Sequence, residues 1–467
     1  MEGHIVRIEK IDLPQISDSN NYPPVTIDEI NYRYNKMIQK MNEKDLSQII
    51  VYGDREHSAN LSYLTGGYDS RFEETLLIIK KSELPVFIVG NEGYSYSNIS
   101  LLKHEKELFQ TFSLQGQIRD RKRYLSDILR KHGINQKSKV GIIGLKYYES
   151  GEVRDPDHTL DIPHYIIKEI EKLIPLNQMV NVTGIMTHPE NGLRCNLTHH
   201  EIARFEFMSN YLSNQMKKVI NSLKIGISEV EVLSVFDFKG IPFVFHPCVN
   251  FGPERVLLGV ASPSFSRNLK LGDVVTIALG VEGSAITRTG YAVSSIDDFS
   301  DSMKDIINDF YFPYFKALKA WYESIRIGTH SIKVYDSVMG IIGDKRFGVT
   351  LNPGHQIHME EWINSPFRQD YDFILKSGMA FQCDIIAFPG TSYIGVHVED
   401  TLIIADDNLK NKLKKKYPQT WKRIEIRRNM LKNILGINIG KEVMPLSNLQ
   451  AILYPFLLDP NYIITDK

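Results

Sequence analysis

Two apolar runs separated by a short glycine turn dominate residues 272–289, GDVVTIALGVEGSAITRT. This pattern predicts a β-hairpin whose first strand runs from Val274 to Leu279 and whose second returns through Ser284 to Thr289. The hairpin resembles one that holds a ligand, yet its inward positions carry Ala278 and Ala285. A methyl group offers no ligand atom, so neither of these two positions can coordinate a metal ion.

Composition limits the classes of protein to which the chain can belong. Its 467 residues are 42% hydrophobic, which is enough for more than one core and suggests two or three domains. Lys and Arg number 55 against 56 Asp and Glu, so no net charge attracts nucleic acid or an anionic membrane. The N-terminal segment lacks the apolar run of a signal peptide, and we expect a cytoplasmic protein that binds neither membranes nor nucleic acid. The three cysteines are far apart and predict small buried residues rather than disulfides or a zinc site.

The order of predicted elements divides the chain into two parts. Strand-like and helix-like segments alternate over residues 1–185, which predicts an α/β domain. Thr198 and Glu201 form a capping-box pattern that begins a long amphipathic helix over residues 199–223, expected to pack on a sheet. Strands and hairpins follow from Ile241 onward. We therefore predict one domain over residues 1–185 and a second over residues 190–467.

Three short segments of the second domain carry ionisable groups that a sheet could bring together. They are NPGHQIHMEEW, with His355, His358, Glu360 and Glu361; LKSGMAFQCDII, with Gln382 and Asp384; and YIGVHVEDTLII, with His397 and Glu399. Side chains alternate along a strand, so Gln382 shares a face with Asp384, and His397 shares one with Glu399. Histidines beside carboxylates are typical of metal sites and of acid/base pairs. Structural roles remain open for the histidines, but a carboxylate within an apolar strand is costly unless it is paired or ligated.

These segments, in this order, resemble the family of aminopeptidase P, prolidase, methionine aminopeptidase and creatinase. The resemblance covers nearly the whole chain, because ANLSYLTGGYDSRFEETLLII is also similar to the N-terminal domain of creatinase and prolidase. It implies an α+β protein in which a pita-bread catalytic domain follows a creatinase/prolidase-type α/β domain. It further implies a homodimer and a small-molecule or short-peptide ligand.

In the metallopeptidases of this family, two adjacent divalent ions are held by Asp, Asp, His, Glu and Glu. The resemblance places these five ligands, in the same order, at Ala278, Ala285, His355, Asp384 and Glu399. Two hard oxygen ligands are therefore missing and a third side chain is shorter by one methylene. We expect either no cofactor or a single divalent ion on His355, Asp384 and Glu399, because too little negative charge is left for two ions.

Creatinase keeps this fold without metals, but the match to its active site is incomplete. The place of its catalytic histidine is Ala261 here, and a nearby active-site glutamate is replaced by Thr287. The first hypothesis is therefore a non-standard hydrolase of a small amide, amidine or dipeptide-like C–N bond. The alternatives are a pseudo-peptidase that binds a ligand or protein without turnover, and a Xaa-Pro aminopeptidase with unusual ligands.

The hydrolase hypothesis assigns roles to seven residues. Proton transfer and substrate polarisation fall to His355, Asp384, His397 and Glu399, and substrate binding falls to His246, His358 and Glu361. Strand alternation adds a geometric prediction: Asp384 and Glu399 should line one wall, with His355 within one side-chain layer of both carboxylates.

Overall fold

A computed structural model describes residues 5–391 and 393–467. The chain divides into two compact units, one of residues 24–194 and one that joins residues 5–23 to residues 195–467. The sequence pattern had placed the first 185 residues in a single N-terminal domain. The structure draws the boundaries differently, because residues 5–23 pack with the C-terminal unit and the N-terminal unit continues to Arg194.

Strands are numbered in chain order. Within the described residues, β1 to β15 are Val6–Lys10, Gln48–Gly53, Thr75–Lys80, Val86–Val89, Glu105–Leu108, Val140–Ile143, Met179–Asn181, Cys248–Phe251, Val274–Val281, Ser284–Tyr291, His355–Gln356, Ala380–Ala387, Val396–Ile404, Val443–Pro445 and Tyr462–Asp466.

The α-helices are numbered in the same way. Within the same part of the chain, α1 to α13 are Ile27–Glu43, Ser58–Thr65, Asn91–Tyr96, Leu125–Lys131, His164–Glu171, Gly184–Thr187, His199–Asn221, Glu229–Leu233, Pro253–Val256, Phe312–Ser324, Ser331–Ile342, Asp407–Lys416 and Pro418–Asn429.

The N-terminal unit is built on a six-stranded sheet in the order β5-β4-β3-β2-β6-β7. The pairs β4/β5, β2/β6 and β6/β7 are parallel, and the pairs β2/β3 and β3/β4 are antiparallel. Apolar residues of α4 and α5, including Ile128 and Ile170, join the core formed with the sheet strands. The alternating pattern thus gives a mixed α/β sheet, as we predicted.

The C-terminal unit contains a seven-stranded antiparallel sheet in the order β11-β12-β13-β10-β9-β8, with β14 also paired to β13. The predicted hairpin forms β9 and β10, joined by the two residues Glu282 and Gly283. Helix α7 begins at the predicted capping box, with Thr198 accepting from the Glu201 amide and Glu201 accepting from the Thr198 amide. Its buried apolar face packs in the same core as the hairpin.

The first described strand belongs to the C-terminal unit. β1 pairs antiparallel with β15 at the end of the chain, from Val6 opposite Asp466 to Lys10 opposite Tyr462. Pairing between strands more than 450 residues apart leaves no periodic signal in either segment, since each strand is only five residues long. This pairing is why the domain boundary predicted from local patterns differs from the structural one.

The described helices include none with the length and apolar character that crossing a membrane requires. All three cysteines are free and buried, as the sequence predicted.

A histidine held between two aspartates gives the N-terminal unit a pH-dependent contribution to stability. His57 Nδ1 lies 2.7 Å from Asp54 Oδ1, and its Nε2 lies 3.6 Å from Asp161 Oδ2. Burial lowers the pKa of His57, but the nearby carboxylates of Asp161 and Asp54, the latter hydrogen-bonded to the ring, outweigh burial and raise the pKa to about 9. The same contact lowers the pKa of Asp54 to about 2.

We expect His57 to stabilise the fold at neutral pH and to lose this effect in alkali. The folded pKa lies above the unfolded value of about 6.5, so the contribution is full below about pH 6.5 and is lost as pH rises through 9. The difference in melting temperature between wild type and His57→Gln should therefore be largest near pH 6 and vanish near pH 10. A difference that does not change over this range would contradict the assignment.

Candidate functional site

One row of side chains crosses four strands of the C-terminal sheet. Asp384 of β12 lies directly opposite Glu399 of β13, Glu399 opposite Thr287 of β10, and Thr287 opposite Ala278 of β9. Residues directly opposite one another in antiparallel strands point to the same face, so these four side chains lie side by side. The predicted wall of Asp384 and Glu399 is confirmed.

The turn before β11 sets the position of His355. The Trp321 indole N–H donates to the Pro353 carbonyl at 2.6 Å and fixes the turn from the side of α10. Gly354 follows with φ of +116°, and a Cβ at this position would lie 2.5 Å from the Gln382 carbonyl oxygen. Only glycine fits there, and it allows His355 to pair with Gln382 at the edge of the sheet.

Three carboxylates surround the imidazole of His355. Its Nε2 atom lies 2.9 Å from Glu361 Oε1, 3.7 Å from Asp384 Oδ2 and 3.9 Å from Glu399 Oε1. The side chain is fully buried, and Trp362 stacks on the ring with 4.2 Å between centroids. His355 therefore lies within one side-chain layer of both strand carboxylates, as predicted.

Each strand carboxylate also has a close partner of its own. His397 Nε2 lies 2.5 Å from Asp384 Oδ1, and the Thr287 hydroxyl donates to Glu399 Oε2 at 2.6 Å. His397 is on β13, two residues from Glu399, so it reaches Asp384 diagonally across the β12–β13 pair. The other oxygen of Glu399, Oε1, has no hydrogen-bond partner within the described residues.

The environments of the two carboxylates move their pKa values in opposite directions. Burial alone would raise the pKa of Asp384, but the charge and hydrogen bond of His397 outweigh burial and lower it. Burial raises the pKa of Glu399 well above its usual range, and the charges of Asp384 and Glu361 add to this effect. Burial lowers the pKa of His355, but Glu361 and Asp384 outweigh burial and raise it. These shifts favour the ionised form of Asp384, the protonated form of Glu399 and the protonated, positively charged form of His355.

A buried ion pair supports the row from within the sheet. Arg288 Nη1 donates to the carbonyl oxygens of Thr287 and Glu399, and Nη2 lies 2.8 Å from Asp400 Oδ2. Both Arg288 and Asp400 are buried, and the Ala451 amide also donates to Asp400. The pair thus holds β10 and β13 at the two residues that carry the Thr287–Glu399 hydrogen bond.

Two of the residues predicted to bind substrate lie elsewhere. His246 is exposed in the irregular segment just before β8, and its Nε2 lies 2.8 Å from the Val260 carbonyl oxygen. His358 is buried against α7, with its ring 5.3 Å from that of Phe205 and its Nε2 3.7 Å from Glu201 Oε1. Its neighbours are thus the capping box and apolar face of α7. Glu361, the third such residue, does join the cluster through its contact with His355.

A cavity of about 410 Å³ opens in front of the row. Its polar lining consists of Thr276, Thr287, Glu361, Asp384, His397 and Glu399. Most of its apolar lining comes from Phe245, Leu257, Val260, Leu351, Ile386 and Phe388. The ring of Phe245 packs directly on Gly280, where a Cβ would lie 2.3 Å from the ring. His355 is fully buried and is not among the residues that line this cavity.

Sequence reasoning named Thr287 only as the replacement of an active-site glutamate, without its contact to Glu399, and it missed Phe245 and Arg288. The inward direction of Thr287 follows from its alternation with Ala285 along SAITRT. Phe245 lies outside the named strands and is brought to the cavity only by its packing on Gly280. Arg288 could have been found as well, because an arginine within an apolar strand requires a buried acidic partner.

Two overlapping groups of side chains could hold a metal ion. His355, Glu361 and Glu399 each offer a ligand atom within 4.8 Å of the others, and so do Asp384, His397 and Glu399. Ala278 lies on the same row and lines the cavity, whereas Ala285 packs in an apolar cluster that includes Phe205 and Ile357. The methyl groups of the two alanines offer no ligand atoms.

Residues 209–406 match metallopeptidase family M24, and this match includes every side chain of the row and of the histidine–carboxylate cluster. The C-terminal unit therefore contains an M24-family region. The family match lies wholly within the C-terminal unit and begins in helix α7. No curated protein sequence is significantly similar to this chain.

Solved structures of a prolidase, a dipeptidase and an aminopeptidase share the fold across most of the chain. The prolidase from Pyrococcus horikoshii OT3 is 20% identical, with a TM-score of 0.60 over 80% of this chain and 96% of that one. The Xaa-Pro dipeptidase from Bacillus anthracis is 20% identical, with a TM-score of 0.60 over 81% and 96%. The His243Ala variant of Escherichia coli aminopeptidase P is 14% identical, with a TM-score of 0.56 over 87% and 100%. The predicted architecture, an α/β domain followed by a pita-bread domain, is confirmed.

Proposed function

We propose that this protein hydrolyses a C–N bond of a small amide, amidine or dipeptide-like compound without a two-ion metal centre. The observation that carries the proposal is the pairing of Asp384 and Glu399, which face each other at the cavity wall with pKa values moved in opposite directions. Neighbouring carboxyl groups with separated pKa values are the usual basis of an acid/base pair.

The side chains at the cavity wall can supply each proton transfer that hydrolysis requires. Asp384, kept ionised by His397, accepts a proton from a water molecule, and the hydroxide adds to the substrate carbon. Glu399, kept protonated, donates its proton to the leaving nitrogen as the C–N bond breaks. The proton on Asp384 then restores Glu399, which lies directly opposite. The positive charge of His355 offsets the carboxylates around it and is a positioning element, since His355 does not line the cavity.

The residues present do not fit two adjacent divalent ions. The row carries a methyl group at Ala278, and Ala285 is surrounded by apolar side chains, so two of the oxygen ligands that the family uses have no equivalent. The remaining carboxylates and histidines do fit one divalent ion, held by His355, Glu361 and Glu399 or by Asp384, His397 and Glu399. Such an ion would polarise the bond to be cleaved as a Lewis acid.

We expect turnover of small amides or amidines to persist after chelation. The purified protein should contain fewer than two equivalents of Mn, Co or Zn per chain by plasma mass spectrometry. Rates with and without EDTA should agree within a factor of about two, because the acid and the base are protein side chains. Asp384→Asn should abolish the rate, and Asp297→Asn, at an exposed position, should leave it unchanged. Two bound ions per chain, or turnover that requires two added equivalents, would contradict the proposal.

The two alternatives give different results in the same experiments. A pseudo-peptidase, favoured by the two alanines, would bind ligands in the cavity but hydrolyse none of the compounds tested. A Xaa-Pro aminopeptidase or dipeptidase, the latter being the activity for which the Bacillus anthracis protein is named, would hydrolyse Xaa-Pro peptides briskly with added Mn. We expect no useful rate on Xaa-Pro dipeptides or tripeptides.

A further inference from the structure

Two phenyl rings line the cavity on opposite sides of the row. Phe245 packs on Gly280, which follows Ala278 by two positions along β9, and Phe388 follows Asp384 by four positions at the end of β12. Three antiparallel pairings separate β9 from β12, so the two strands run in opposite directions and lead to opposite sides of the row. The cavity therefore has an aromatic wall on each side.

Each ring rests on a glycine that leaves room for it. A Cβ on Gly280 would overlap the ring of Phe245, and a Cβ on Gly395 would overlap the ring of Phe388. Neither glycine has a positive φ, so no turn conformation requires the lack of a side chain at these positions. Close approach of a ring to the backbone accounts for both glycines. The two aromatic walls are thus fitted to the surface of the sheet.

Apolar side chains at the cavity are left open to solvent. Leu257, Val260 and Leu351 line it, and each is more than half exposed. The row itself ends in the methyl group of Ala278, two strand spacings, or about 10 Å, from Glu399. A ligand group that covers these walls is stabilised by the burial of apolar surface. Apolar walls with a few convergent polar groups are typical of sites for small molecules.

Resting on the hydrolase function above, we propose that Phe245 and Phe388 determine specificity by holding an uncharged apolar group of the substrate between them. The group is an aryl or branched alkyl substituent on the C–N bond to be cleaved, and the bond itself lies at Asp384 and Glu399. Aromatic rings stabilise such groups by burial and by ring packing. The selectivity comes from the shape and apolar surface of the cavity and not from the charge of its carboxyl groups.

Three methyl ketones test this inference without turnover. Acetone, methyl isopropyl ketone and acetophenone are uncharged and have no C–N bond to hydrolyse. In EDTA near neutral pH, acetophenone should bind the wild-type protein at least about tenfold more tightly than acetone, with methyl isopropyl ketone between them. Acetylpyridine has the shape of acetophenone but a polar ring atom, and it should bind about tenfold more weakly than acetophenone. Ligand-detected NMR titrations give the dissociation constants.

Two variants locate the binding. Phe245→Ala should weaken acetophenone by about tenfold and leave acetone within about twofold. Gly280→Ala should weaken acetophenone in the same way, because the new methyl group displaces the ring while the phenylalanine is kept. The control is Phe265→Ala, at a side chain that is 87% exposed and outside the lining, which should change neither affinity. Thermal unfolding checks that each variant is folded.

The outcomes separate this inference from the hydrolase proposal. Equal affinity for acetone and acetophenone, for acetophenone and acetylpyridine, or equal effects of Phe245→Ala and Phe265→Ala would overturn the inference whether or not the protein turns over a substrate. Binding graded by apolar surface without turnover of any amide or amidine would support the inference and contradict the hydrolase function. Hydrolysis of acetamide as efficient as that of benzamide would support the hydrolase function and overturn the inference.

Discussion

Glu399→Gln should lower kcat by a factor of about 10²–10⁴ without unfolding the protein. The substitution keeps the shape of the side chain and an oxygen that can accept from Thr287, but it removes the acidic proton. Because it also removes a carboxyl group buried beside Asp384 and Glu361, the melting temperature should stay the same or rise. Initial rates on a substrate found for the wild type, together with thermal unfolding, check both expectations.

The control for this variant is Glu83→Gln, at a carboxylate on the surface of the N-terminal unit whose side chain is 71% exposed. It should leave kcat unchanged. The pH profile supplies a further readout, since a group that acts as an acid loses activity as pH rises through its raised pKa. If Glu399→Gln retains full kcat, Glu399 is not the proton donor.

Arg288→Met should lower the free energy of unfolding by about 3–5 kcal/mol. Arg288 and Asp400 are both buried, and removal of the guanidinium leaves the Asp400 carboxylate without its cation. The same change removes the hydrogen bonds from Nη1 to the carbonyls of Thr287 and Glu399. The side chains of these two residues should therefore be held less firmly in the site. Chemical denaturation of the two proteins measures the difference.

An exposed pair provides the matched control. Arg7 contacts Glu9 at 2.7 Å, but its side chain is 51% exposed, so Arg7→Met should cost less than about 1 kcal/mol. The double variant Arg288→Met with Asp400→Leu should be more stable than Arg288→Met alone, because the unpaired carboxylate is gone. Equal losses of unfolding free energy in Arg7→Met and Arg288→Met would show that the buried pair of Arg288 and Asp400 contributes no more to stability than the exposed pair.

Local patterns in the sequence were sufficient to predict many of the residues that form the site. Alternation along β12 and β13 correctly placed Asp384 and Glu399 on inward-facing positions, because strand periodicity depends only on the backbone of one segment. The capping box at Thr198 and Glu201 set the beginning of α7 for the same reason. The cost of burying a carboxylate also indicated that both acidic residues needed partners.

Histidines were predicted less well than carboxylates. Of the four histidines predicted in the site, His355 and His397 join the cluster, whereas His358 and His246 do not. A histidine can be buried against a helix, exposed in a bend or paired with a carboxylate at little cost, so its residue type does not constrain its location. Glu361 joined the cluster because the chain after β11 returns it to His355.

The sequence by itself determined which residues face inward along each strand and where the long helix begins, since both follow from short-range backbone geometry. Only the tertiary structure decided that β12, β13, β10 and β9 are neighbours, which places Thr287 and Ala278 in line with the two carboxylates. It also decided that β1 pairs with β15 and that Phe245 covers Gly280. Strand order and such packing depend on which distant segments bury each other's apolar surface, and that information is spread over the whole chain.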